Sequence, residues 1–160
     1  FFELTGPQQI AGIERDDLER RAAQDNRRVV DPPSPFESWF EVDVALVLLR
    51  KGFVVMPQHE VAGKRIDIVV EGGQARLAVE CDGDKWHGAD RYEADMQRQR
   101  QLERCGWEFF RVREAAFYAN QNSALVGLWH ALEERGIHVL SSQGNRLPEC
   151  EEAAPQPSTP

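Results

Sequence analysis

The chain lacks several features that would settle its class at once. It has only three cysteines, Cys81, Cys105 and Cys150. They are odd in number and carry neither metal-ligand nor disulfide spacing, which excludes a thiolate metal site and a disulfide scaffold. Reduced thiols in a cytoplasmic protein are expected. No apolar run reaches the length of a membrane span and no signal peptide is visible, so no membrane role is expected. Positive charge is scarce: 19 Lys and Arg face 27 Asp and Glu, for a formal net charge of −8. That argues against a generic basic nucleic-acid binder. A Gly-rich phosphate loop is missing, so the chain is not itself an ATPase, and there is no Gly-x-Ser-x-Gly or Cys/His nucleophile arrangement. It starts at Phe1 instead of Met, as expected of a piece of a longer protein.

What is present suffices for one domain: 160 residues, of which 41% are apolar, can build a real core. Residues 1–33 are polar and interrupted; "IERDDLERRAAQ" suits one helix, and "DPPSP" reads as a stop and linker. Residues 141–160, rich in Ser, Gln, Glu and Pro, read as a disordered tail. The compact domain is expected over 34–140. There, Ser34 and Pro35 suggest a helix start and Gly52 its end, around the apolar "FESWFEVDVALVLLRK". Strands follow in "FVVMPQHEV", "KRIDIVV" and "ARLAVECD", the last two joined by a tight "EGGQ" turn and so antiparallel. A charged helix over 92–104, a strand "WEFFRV", a helix over 123–135 and a short strand "IHVL" complete the order. This predicts an α/β fold with a mixed central sheet of about four to five strands flanked by helices.

Acidic residues stand where an apolar strand should not have them. Asp67 lies between Ile66 and the run Ile68–Val70, where lost hydration must be offset by a hydrogen bond, a cation or a metal. Glu80 and Asp82 close the next strand and share one face, with Cys81 on the other. The hairpin brings Asp67 toward the same place. Crowded carboxylates repel when dry, and a hard divalent cation such as Mg²⁺ resolves this. Each carboxylate taken alone has a simpler reading as an ion pair with Arg65, Lys85 or Arg111. A calcium-loop reading of "DGDKWHGADRYEAD" fails, because Trp86 occupies a ligand position and no Glu closes the loop.

A strand Asp, a hairpin and an acidic strand end resemble the PD-(D/E)XK nuclease superfamily. "SWFEVDVALVLLRKGF", "PQHEVAGKRIDIVV", "LAVECDGDKWH" and "DMQRQRQLERCGWEFFRV" together resemble its very-short-patch-repair endonuclease-like branch. They are most similar to the domains fused to the C-terminus of superfamily 1 helicases. The resemblance implies a restriction-endonuclease-like fold and a Mg²⁺- or Mn²⁺-dependent DNA endonuclease. Its implied partners are DNA and a helicase module in the same polypeptide, in DNA repair or defence against foreign DNA. It assigns Asp67 and Glu80 as metal ligands, joined by the backbone carbonyl of Cys81. Asp82 stands where the superfamily usually has Lys, although this branch often carries Asp-Gly there; with Glu41 it is expected as an outer ligand or water-positioner, and which group activates the water is left open. His87 is one candidate, and Lys85 or Lys64 could supply the missing positive charge. Glu41 resembles the helix Glu aimed at the metal site, with a solvated helix face as the alternative. Gln58, Lys85, Trp86 and Arg98 are candidate DNA contacts, and Leu102 is expected in the core. Arg91, Arg100 and Arg104 read as a solvated face or phosphate contacts. The alternative function is a catalytically inactive nuclease-fold module that binds DNA or a protein.

Overall fold

Short apolar runs, buried on both faces, and the Gly-Gly turn that joins them set the centre of the molecule. The computed structural model describes residues 9–83 and 89–139. In chain order these form β1 (Gln9–Ile10), β2 (Ile13–Glu14), α1 (Arg15–Ala22), a 3₁₀ turn (Arg27–Val29), α2 (Trp39–Lys51), β3 (Val54–Val61), β4 (Lys64–Gly72) and β5 (Ala75–Asp82). Then come α3 (Ala89–Arg104), β6 (Phe109–Arg113), α4 (Glu114–Ala119) and α5 (Gln121–Glu134). The main sheet runs β3-β4-β5-β6. Its first three strands are antiparallel, and β6 joins β5 in parallel after the α3 crossover. The expected α/β architecture with a mixed sheet of four strands between helices is therefore what this chain adopts.

Two apolar layers hold the sheet. On one side Ile68, Val70, Leu77, Val79 and Val112 meet α2, α4 and α5. On the other, Ile66, Val69 and Ala78 meet Leu102 of α3 and Trp107. Each fully buried aliphatic side chain contributes about 2 kcal/mol. Ile10 and Leu18, from the N-terminal segment, are buried in the first layer. Pro57 is tolerated because β3 lies at the sheet edge.

Several expected boundaries move. Helix α2 starts at Trp39, capped by Ser38 instead of Ser34. The reason is Glu41, three residues past Ser38: the Glu41 N–H donates to Ser38 Oγ at 3.1 Å, and that hydroxyl donates to Glu41 Oε1 at 3.2 Å. This reciprocal bonding outcompetes the Ser-Pro start signal. Gly52 closes α2 as expected, at φ 98°. Helix α5 begins at Gln121, because the Asn120 carboxamide accepts the Ser123 N–H. Helix α4, "EAAFYA", was not expected. The segment 137–139 forms no strand; Ile137 is buried against Gly72, where an added Cβ would stand 3.0 Å from Ile137 Cγ2. Leu140 and the expected tail lie outside the described residues. No described helix is long and apolar enough to cross a membrane.

Candidate functional site

The β4–β5 ladder ends at the pair Ile68–Val79. One step further, Asp67 would face Glu80. There the Asp67 carboxylate takes over from the backbone: its Oδ2 accepts the Cys81 N–H at 2.9 Å. This is the hydrogen bond that the strand position demands.

Glu80 is 5% exposed, an unusual place for a carboxyl group. Burial first, and then the adjacent Asp67 by charge and a shared hydrogen bond, pushes its pKa up to about 9. Arg98 Nη2 at 3.3 Å and Arg111 act in the opposite direction but are outweighed, since the Arg98 contact is long and made by a partly exposed side chain. Without a further cation Glu80 therefore holds a proton at neutral pH. The Cys81 thiol is also pushed up, by burial and then by Asp67, Glu41, Glu80 and Asp82. It is consequently no nucleophile, and it registers four acids around one point.

Glu41 is likewise 5% exposed, so a solvated helix face does not describe it. Its Oε2 accepts Gln58 Nε2 at 2.9 Å and the Glu37 N–H at 3.2 Å. Burial, followed by the charge of Asp67, raises its pKa against those hydrogen bonds. Gln58 reaches it from an edge strand at a φ of 50°, a left-handed conformation costly for a residue with a Cβ.

Arg98 donates to the Arg65 carbonyl at 2.9 Å as well as to Glu80, and its buried Nε has no hydrogen-bond partner. Asp82 is held by Arg111, with Nη1 at 2.9 Å from Oδ1 and 3.1 Å from Oδ2. The simple ion-pair reading thus describes its present partner. Lys64 is engaged by Gln101. Lys85, Trp86 and His87 lie outside the described residues.

Glu41, Asp67, Glu80, Cys81, Asp82 and Arg98 line a cavity of about 690 Å³, together with Arg111, Arg113 and Tyr92. The arginines went unread as site residues in the sequence. The signal was available: parallel pairing sets Glu80 opposite Arg111 and Asp82 opposite Arg113, so "FRVR" repeats the two-residue spacing of "ECD". Among the described residues, no three or more His, Cys, Asp and Glu side chains form a group that could hold a metal ion. The Asp67–Glu80 pair and the Cys81 carbonyl, a backbone atom, are what remains for one. Buried Glu80 and the adjacent Asp67 suit a hard divalent cation in their donor chemistry.

Comparison with known proteins adds one finding. The family model REase_MTES_1575, which describes a restriction endonuclease-like family, matches residues 40–132. No curated protein and no solved structure matches the chain.

Proposed function

This chain belongs to the restriction endonuclease-like family REase_MTES_1575, and on that premise we propose that it is a metal-dependent DNA endonuclease domain hydrolysing phosphodiester bonds. Restriction endonuclease-like domains generally use divalent metals and act on DNA. The observation that carries the reading is Glu80, buried beside Asp67 and raised to a pKa of about 9 by that placement. Such a pair is unstable in its doubly charged form until a cation joins it.

Asp67, Glu80 and the Cys81 carbonyl would hold Mg²⁺ or Mn²⁺. When bound, the metal lowers the pKa of a water and offsets charge building on the phosphate. The protein's own groups do the rest. The Cys81 N–H orients Asp67. Glu41, locked by Ser38 and Gln58, places a further acid behind the pair. Arg98, whose guanidinium is partly exposed beside Glu80, would contact a phosphate oxygen. Arg111 balances Asp82, and His87 relays the proton.

We assign the domain to the very-short-patch-repair endonuclease-like branch, as the C-terminal nuclease of a helicase protein in DNA repair or defence. The net charge of −8 supports this context, since a linked module would supply most of the affinity for DNA. Helicase motifs in the same reading frame upstream of residue 1 are the expected check.

The experiment is cleavage of single- and double-stranded DNA with Mg²⁺ or Mn²⁺. Wild type is expected to cleave, and Asp67→Ala and Glu80→Ala to lose at least about 100-fold. Cleavage persisting unchanged in both variants sinks the assignment. A second reading, an inactive DNA- or protein-binding module, is favoured by one observation: Asp82, in the usual Lys position, is tied to Arg111. Absence of divalent-ion binding by calorimetry at millimolar concentration would select it.

A further inference from the structure

A second cavity, of about 1040 Å³, adjoins the first. Glu37, Glu41, Cys81 and Gly83 line both. Much of its wall comes from residues 27–39, which precede the family match at residue 40.

The chemistry of the wall is specific. Trp39 is fixed in place: its Nε1 donates to the Val30 carbonyl at 2.8 Å, and the Arg27 guanidinium lies 5.8 Å from the ring centroid. Arg27 is itself neutralised by Asp43, with Nη1 and Nη2 at 2.8 and 2.9 Å from the two carboxylate oxygens. Tyr118, facing from α4, ties its hydroxyl to the same Asp43 and sets its ring edge-on to Phe117 at 5.2 Å, yet remains 51% exposed. It is a rigid aromatic surface with little ordering entropy left to lose. Arg28 is exposed in the cavity wall, and no acidic partner for it is found among the described residues. The cavity carries more acid than base, since Asp31, Glu37, Glu41 and Glu114 line it against Arg27 and Arg28. Its affinity must come from a point cation combined with stacking, not from a diffuse positive field.

An anion-spaced chain carrying flat rings fits that combination. A duplex keeps its base faces stacked inside, whereas an unpaired strand offers them. We propose that the 27–39 segment and Tyr118 form a subsite for unpaired nucleotides flanking the scissile phosphate, Arg28 contacting a phosphate and Tyr118 stacking a base. The subsite rests on the nuclease reading and deepens it: the substrate enters with at least one strand locally unpaired.

The test measures binding without cleavage. Fluorescence anisotropy of labelled single-stranded and blunt duplex oligonucleotides is followed with Ca²⁺ as counter-ion for the carboxylates and Mg²⁺ omitted. Wild type is expected to prefer the single strand. Arg28→Glu is expected to weaken single-strand binding about five- to tenfold and to lower the salt slope by about one. Tyr118→Leu should weaken it several-fold, while Tyr118→Phe, which keeps the ring, should not. Arg20→Glu, an equal charge change on α1 at a residue lining neither cavity, controls for net charge. Equal binding by wild type, Arg28→Glu and Tyr118→Leu overturns the subsite, as does a preference for duplex or an equal loss in Arg20→Glu. The nuclease reading fails separately, through absence of cleavage by wild type with Mg²⁺ or Mn²⁺, and cleavage that survives Asp67→Ala and Glu80→Ala sinks only the site assignment. Far-ultraviolet circular dichroism of each variant keeps misfolding distinct from lost contact.

Discussion

Asp67 accepts the backbone N–H of Cys81 at 2.9 Å, at the point where the β4–β5 ladder has ended. The residue is at once a structural acceptor and an acid facing Glu80, and the two roles separate by substitution. Asp67→Asn keeps an acceptor oxygen and removes the charge, so its melting temperature should stay within a few degrees of wild type or rise. Asp67→Ala leaves a buried N–H unpaired and should lose about 1–2 kcal/mol. Thermal melts of both proteins in EDTA decide it; equal destabilisation by both would mean that the hydrogen bond contributes nothing.

Glu80 gives the domain a pH signature. Its folded pKa, about 9, lies above the ordinary 4.5, so the folded state binds the extra proton between those values. The stability it contributes is complete below about pH 4.5 and is lost as pH rises through the folded value near 9. Glu80→Gln removes that slope. It should melt several degrees above wild type at pH 8 in EDTA and show no such gain near pH 4. Divalent-ion binding at pH 7–8 should release about one proton, read as a dependence of calorimetric heat on buffer ionisation enthalpy. A heat independent of buffer would contradict a protonated Glu80.

The lock behind the pair has its own prediction. Ser38→Ala removes the cap of α2 and should cost about 1 kcal/mol. Glu41→Ala removes the acceptor for buried Gln58 Nε2 and leaves Gln58 holding a strained φ with no reward. It should cost about 2–3 kcal/mol. Urea unfolding of both variants checks the order, and a larger loss in Ser38→Ala would show that capping, not the Glu41–Gln58 bond, dominates.

The hairpin carrying Asp67 and Glu80 was legible because two short apolar runs flank a tight Gly-Gly turn. Leu102 was legible as core by helical spacing. The start of α2 was misread because two signals compete: Ser34-Pro35 resembles a helix start, but only Ser38 has a Glu three residues on. Glu41 could not be read as buried, since Gln58 covers it from 17 residues away in sequence, and no local pattern reports a distant lid. Helix α4 went unseen because six residues give less than two turns of periodicity. Arg111 was legible as an ion-pair partner for the acids, which it is for Asp82, but Arg113 was not, because parallel pairing across a long crossover fixes the register of β6 only in three dimensions.

That crossover has a consequence for how the domain tolerates length changes. Arg111 sits opposite Glu80 only because β6 enters the sheet at one register after α3. A net insertion or deletion of one residue that slipped β6 by one place would bring Phe110 or Val112 opposite Glu80 and turn both arginines to the apolar face. Such a chain could keep every residue discussed above and still lose its charge balance. In an engineered or diverged version, counting the residues between Glu80 and Arg111 is as informative as checking their identities.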